Sequence, residues 1–401
     1  MVGAEQRPRI LLRGLGSISA LGATRLGVSR GYLEPSPAFS LRDFGAERLP
    51  CAPLAEASER RLAEFLASRG RMRGLDRSVH LGLYAAREAA DEAWRGTVPE
   101  RLGVALGSSR GATGLLEHSL EKFIAHEAPL LPSTSPATTL GNLSSWVAQE
   151  LGPTALALPE LSSTCSSALS ALGVGMAFLR SGMADAFVTG GTEAPLTPFT
   201  LAQMRALGVH SVSSDPLPCR PCASEPLERN SMVLGEGAAV LALEAIPSGT
   251  VPPGGLAWIS GIGFAVEPIT SKTSIHKDGL GLQLSMQRAL AEAGGAVPDL
   301  VITHTPGTEQ GDRAEIRALT QVFGENLPYS ASNKWLLGHT LGASAALSIE
   351  YATLSLGGLR PAAYPYATPF TAPAPDTIRR VLVNSIGFGG TAASVVLDSV
   401  E

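Results

Sequence analysis

Two stretches of this chain open alike. Residues 9–19, RILLRGLGSIS, and residues 256–266, LAWISGIGFAV, are apolar runs carrying two glycines one residue apart, Gly14 and Gly16 in the first, Gly261 and Gly263 in the second. Short apolar runs with glycine punctuation predict buried strands. The patterns that follow keep the same order. Residues 79–94 (VHLGLYAAREAADEAW) have helical periodicity and precede the strand pattern LGVALGS; a second helical pattern, LQLSMQRALAEAGG near residues 281–294, precedes DLVITH. Each part closes on apolar strands around glycine, MVLGEGAAVLALE in one and VLVNSIGFGGTAASVVLD in the other. Alternating strands and helices predict crossovers and a largely parallel sheet covered by helices, an α/β fold. The matched order predicts two similar halves, residues 1–245 and 256–401, about a Pro- and Gly-rich linker at residues 246–255, IPSGTVPPGG.

Composition narrows the field. The chain has 401 residues, 44% hydrophobic and 17% charged, as in a soluble globular enzyme. A net charge of −5 gives no overall attraction to nucleic acid or to an acidic membrane. No apolar run approaches the roughly 18 residues of a membrane span. The N-terminus lacks the apolar region of a signal peptide, so the expected location is the cytoplasm. The four cysteines, Cys51, Cys165, Cys219 and Cys222, are too few for a disulfide framework. Cys219 and Cys222 have CxxC spacing, but no second pair or nearby His pair completes a zinc site. They read as loop residues, and no metal is expected.

One segment carries candidate chemistry. In LSSTCSSALSALGVGMAFLRSG, Leu169, Leu172, Met176 and Leu179 recur at helical spacing and Ser181-Gly182 can end the helix. Cys165 then lies at the helix start, where free N–H groups and the helix dipole favour a thiolate and lower its pKa. His304 ends the strand pattern LVITH, and His339 sits before an apparent helix in NKWLLGHTLGASAALSIEYA. Both stand at junctions where open α/β sheets collect their active sites. His80, His118, His126, His210 and His276 read as structural.

Five motifs now occur together and in order. STCSSAL resembles the nucleophile motif of the β-ketoacyl synthases, and HTPGTEQGDRAE resembles their first histidine motif. SNKWLLGHTLGASA resembles their Lys…Gly-His motif, NSIGFGGTAASVVL their C-terminal glycine motif, and RPCASEPLERNSMVLGEGAAVLALE their segment before the linker. The chain thus resembles an elongating synthase of the Cys-His-His type. The resemblance implies the thiolase fold, with duplicated βαβαβαββ halves in a layered α-β-α-β-α sandwich. It implies Cys165 as nucleophile, His304 and His339 as donors to an enolate, and Lys334 tuning both. It also implies backbone N–H groups of Cys165 and Phe388 as an oxyanion hole, Phe388 as gate to the acyl tunnel, and Thr308 on the pantetheine arm. Asp312 and Glu315 are expected in ion pairs or hydrogen bonds. The sequence departs from the family where Thr305-Pro306 replaces Gly-Thr, and where Ile386 and Ala392 replace Phe and Asn.

By the same resemblance the reaction is decarboxylative condensation of malonyl carrier with an acyl group on Cys165. No cofactor is bound, and substrates ride on the phosphopantetheine of an acyl carrier protein. The other expected partner is a second synthase subunit, in a homodimer or a heterodimer. Carrier docking is expected at Arg71 and Arg73, in the basic cluster ASRGRMRGLDRS, and at Arg205. A degradative thiolase would need a second catalytic Cys where NSIGFGG stands, and a chain-initiating synthase would carry Asn at His339. A non-catalytic chain-length-factor-like subunit would lack the nucleophile. GGTEAPLTPFTLAQMRAL resembles synthases of bacterial aryl polyene or flexirubin-like pigments; general fatty-acid elongation is the rival pathway.

Overall fold

The computed structural model describes residues 7–45, 47–126, 129–152, 155–224, 230–252, 254–268, 271 and 275–400. Residues 225–229, within the motif before the linker, and Pro253 of the linker lie outside the described residues. Strand β1 (Arg9–Ser19) is followed by a separate antiparallel hairpin, β2 (Ser40–Phe44) and β3 (Glu47–Cys51). Then come β4 (Leu102–Gly107), β5 (Leu156–Ala157), β6 (Ala186–Glu193) and β7 (Gly237–Ile246). The second part supplies β8 (Ala257–Val266), β9 (Leu300–Ile302), β10 (Tyr329–Ala331), β11 (Arg380–Ile386) and β12 (Thr391–Asp398).

Ten of these strands form one sheet in the order β5-β4-β6-β7-β1-β8-β12-β11-β9-β10. From the β1–β8 junction outward the two sides match strand for strand, so the duplication read from the sequence extends to the topology. The sheet is not largely parallel, however. Parallel pairs occur at β4–β5, β4–β6, β9–β10 and β9–β11, whereas β6–β7, β7–β1, β11–β12 and β12–β8 are antiparallel. Strand–helix alternation did not reveal that the last strand of each half turns back between the first and the fourth. Where the return is a tight turn, as from β11 to β12, only antiparallel pairing is possible.

The paired glycines have a steric cause. A Cβ at Gly14 would lie 2.4 Å from Ala89 O, and one at Gly16 would lie 2.2 Å from Ala85 O. In the second half a Cβ at Gly261 would lie 2.3 Å from Ala289 O, and one at Gly263 would lie 2.1 Å from Ser285 O. Each pair therefore lets one helix, Arg77–Trp94 or Leu280–Glu292, lie directly on the first strand of its half. These helices cover the outer faces. Between the two parts of the sheet run the helices Ser167–Arg180 and Ser344–Leu356, which touch each other and strands of both halves. The second is buried along nearly its whole length, its polar residues Ser348, Glu350 and Thr353 included. The result is the five-layer α-β-α-β-α arrangement, with the N-terminus of one central helix aimed at the site.

Candidate active site

Cys165 sits on a sharp turn at the end of that helix. Thr164 just before it takes φ +53°, in the left-handed region, and the helix begins at Ser167. Side chains of a β-branched residue rarely adopt that conformation, and neighbouring bonds hold it. Thr164 Oγ1 donates to Ser163 O at 2.7 Å and to Phe388 O at 3.3 Å. The β11–β12 hairpin clasps the turn from both sides, with Ser385 Oγ donating to Cys165 O at 3.0 Å and Ser166 Oγ to Thr391 O at 3.2 Å. A Cβ at Gly387 would lie 1.7 Å from Thr164 Oγ1. The Gly-Phe-Gly-Gly turn can approach Cys165 only because that position is glycine.

Both histidines converge on the sulfur. His339 Nε2 lies 3.2 Å from Cys165 Sγ, and the two imidazoles meet edge to face with ring centroids 5.1 Å apart. Cys165 Sγ and ligand nitrogens of both histidines all lie within 4.8 Å of one another. Backbone bonds fix the approach: His339 N donates to Val233 O at 2.7 Å, and His304 N donates to Glu315 Oε1 at 3.0 Å. His339 Nδ1 is buried without a partner among the described residues, and none of their bonds selects its tautomer. Lys334 is buried beside them, its Nζ donating to Thr303 O at 3.4 Å.

Burial dominates the electrostatics. It holds both imidazoles well below their ordinary pKa, helped by the Lys334 cation and, for His304, by His339, so both rings are neutral. Burial also lowers Lys334, to about 8, against the pull of Glu315. The expected low-pKa thiolate is not found: burial first, then Glu193, pushes the Cys165 thiol up to about 12, and Lys334 only partly offsets them. The helix start is present, but the sulfur is enclosed. A neutral thiol instead faces a neutral imidazole at 3.2 Å, within hydrogen-bond reach of a base. The same convergence resembles a metal-ligand set, but the Lys334 cation alongside opposes a second cation.

The remaining candidates divide. A cavity of about 200 Å³ ends on Cys165, His304 and His339, and Thr308, Pro306, Ile386 and Phe388 line it. Phe388 is 36% exposed, at the boundary with solvent. Arg71 and Arg73 are exposed and do not line this cavity. Their cluster neighbours are engaged in the fold: Arg69 pairs with Glu150, and Arg77 with Glu236 and Glu59. Arg205 follows Met204, which lines the cavity, and pairs with Glu47 of β3 at 3.1 Å. Asp312 and Glu315 form hydrogen bonds: Glu315 takes N–H groups of His304 and Thr305, and Asp312 those of Cys222 and Gly307. Cys219 and Cys222 are buried and belong to no metal-ligating group among the described residues.

Sequence reasoning missed Glu193, which is buried at the end of β6. Its carboxylate accepts from Ser108 Oγ and from the N–H groups of Ser109, Arg110 and Gly342. Those bonds tie the loop after β4 to the segment after His339. The signal was a carboxylate directly after a Gly-Gly-Thr strand end, where a buried acid needs several donors.

The N-terminal domain model of the β-ketoacyl synthases matches residues 45–246, and their C-terminal domain model matches residues 256–358. The chain belongs to the β-ketoacyl synthase family. It is 30% identical to the tetracenomycin polyketide synthase ketoacyl synthase alpha subunit of Streptomyces glaucescens, over 80% of this chain and 81% of that one. It is 29% identical to 3-oxoacyl-[acyl-carrier-protein] synthase 2 of Vibrio harveyi, over 98% and 99%. Among solved structures, the ishigamide ketosynthase/chain length factor superposes with a TM-score of 0.82 at 22% identity, covering 98% of this chain and 99% of the other. A ketosynthase in complex with its chain length factor from Xenorhabdus doucetiae gives 0.79 at 24% identity, covering 98% of each.

Proposed function

We propose that Cys165 carries the growing acyl group and that His304 and His339 stabilise the enolate that extends it. The observation that carries this reading is the gathering of Sγ and both imidazoles within 4.8 Å at the floor of one cavity. An acyl thioester enters past Phe388, and Thr308 lies where its pantetheine arm would run. Cys165 attacks the thioester carbonyl as His339 takes its proton; the departing thiolate then recovers that proton. Negative charge on the carbonyl oxygen is met by the N–H groups of Cys165 and Phe388, donors whose individual loss typically lowers such rates by ~10²–10³. Malonyl carrier follows. Its carboxylate leaves as CO2, and the enolate oxygen takes hydrogen bonds from His304 and His339. The enolate carbon attacks the acyl carbonyl, and Cys165 leaves as a thiolate that takes one proton from solvent through His339. Lys334 holds the carbonyl of Thr303 and keeps both rings neutral.

The substrates in this reading ride on an acyl carrier protein, and Arg205, with Arg71 and Arg73, supplies local cationic sites for an acidic carrier. A second synthase subunit is proposed on the helix Thr113–Ile124, whose Leu116, Leu120, Phe123 and Ile124 are exposed at helical spacing. A cytoplasmic setting is consistent with four unbridged cysteines; no helix among the described residues is long and apolar enough to cross a membrane. The segment GGTEAPLTPFTLAQMRAL supports elongation of the aryl polyene pigment kind.

The test uses the whole enzyme with acyl and malonyl carriers. Cys165→Ala should lose condensation while folding normally. His304→Ala and His339→Ala should each slow malonyl decarboxylation strongly, with Cys165 still open to alkylation. Normal condensation by Cys165→Ala would overturn the assignment.

A further inference from the structure

A polar pair borders the apolar surroundings of the nucleophile. Cys165 packs in a buried cluster with Leu201, Met204, Met232, Leu234 and Leu341. Two segments flank it. On one, Gln203 precedes Met204 in the helix Pro198–Ala206. On the other, the N–H of Arg110 donates to Glu193 Oε1 at 3.1 Å, while Oε2 of that carboxylate accepts from Gly342, next to Leu341. Arg110 joins the two segments, its Nη2 donating to Gln203 Oε1 at 2.5 Å. Its Nε is buried and has no hydrogen-bond partner among the described residues. Glu193, the nearest acid by bonding, is occupied by a hydroxyl and three backbone donors.

A buried guanidinium N–H with no acceptor is unfavourable unless something supplies one. A wholly apolar acyl chain would also be served better by an apolar border. The cavity lined by Phe388, Pro306 and Thr308 also has Met204, Met232 and Leu341 of this cluster in its wall, so an acyl group on the sulfur that turns away from the carrier arm runs along that apolar wall, toward the border that Arg110 and Gln203 form. We infer that Arg110 and Gln203 form the far end of the acyl site, and that Cys165 accepts chains whose distal end bears a hydrogen-bond-accepting oxygen, as a carbonyl or a carboxylate. This rests on the acyl-transfer reading above. Gln203 fixes the guanidinium plane, leaving Nε to meet the oxygen. Loading changes no oxidation state: the thioester bond to the carrier breaks, the bond to Cys165 forms, and one proton moves through His339.

The test offers the enzyme pantetheine thioesters of equal chain length ending in methyl, in a methyl ketone or in a carboxylate. Mass spectrometry of Cys165 reads the rate of loading. The native enzyme should favour the oxygen-bearing ends by roughly 10- to 100-fold, the range for a hydrogen bond to a charged group. Arg110→Met and Gln203→Leu should each shrink that ratio, and Arg110→Lys, a cation without the planar fork, should keep it for the carboxylate alone. The ketone and carboxylate arms separate a neutral acceptor from an anion. Equal loading of all three chains by the native enzyme, or a native preference that Arg110→Met leaves untouched, overturns the proposal. The native ratio needs no substitution, so a variant that fails to fold does not spoil the test. If even an acetyl thioester fails to load, the acyl-transfer reading has failed, and this proposal with it.

Discussion

At the scale of single residues, the Cys165 sulfur is subject to opposed influences. Burial and Glu193 raise its pKa to about 12, while Lys334 lowers it. Lys334→Met removes the one cation among these influences, so the thiol pKa should rise further and the thiolate fraction at neutral pH should fall. Alkylation of Cys165 by iodoacetamide should slow by about tenfold for each pKa unit gained. Unchanged alkylation would show that Lys334 acts through Thr303 alone. Glu350 makes a second case. It is buried in the central helix Ser344–Leu356, accepts from Ser17 Oγ and leaves Oε2 without a partner among the described residues. Burial pushes its carboxyl up to about 7. A raised carboxyl is protonated in both states at low pH, so nothing is lost there. As pH climbs from the ordinary carboxyl range through about 7, the unfolded chain releases its proton first and the folded state loses roughly 3 kcal/mol. Glu350→Gln should therefore raise the melting temperature above that pH and change it little near pH ~4, where the linkage vanishes. A gain of equal size at both pH values would assign the effect to packing instead.

At the scale of elements, the turn from β11 to β12 clasps Cys165. Gly387→Ala would drive a methyl into Thr164 Oγ1, and the hairpin or the Thr164 turn must move. Acyl loading should fall by at least ~10², the scale on which small misplacements of catalytic groups act, while circular dichroism stays native. Retained loading would mean the turn can be displaced without consequence for the N–H groups proposed as oxyanion donors. Such clasps mark the limit of what the sequence disclosed. The helix after Cys165 was legible from Leu169, Leu172, Met176 and Leu179, all buried as their spacing requires. The glycine pairs disclosed two equivalent strand–helix contacts. The convergence of His304 and His339 needed the family motifs, because the histidines lie on separate segments and no local period links them. The burial of Cys165, and with it the raised thiol pKa, depends on contacts from β11, β12 and the segment after β10, which spacing does not encode. Glu193 stayed hidden for the same reason: its four donors come from distant parts of the chain.

At the scale of the whole molecule, β1 is bonded on one edge to β7 along Arg9–Ser19 and on the other to β8 through Ile10, Leu11 and Leu12. The peptide from β7 to β8 therefore connects two strands that a third already holds, and Val251 within it is 88% exposed. One proteolytic cut near Val251 would remove a covalent link and leave both hydrogen-bond ladders intact. The two fragments should co-elute under native conditions and keep their turnover, with separation only in denaturant. Spontaneous dissociation after cleavage would show that the covalent link, more than β1, holds the parts together. If the fragments remain joined, the single chain is in effect a heterodimer whose two subunits happen to be translated without a stop between them.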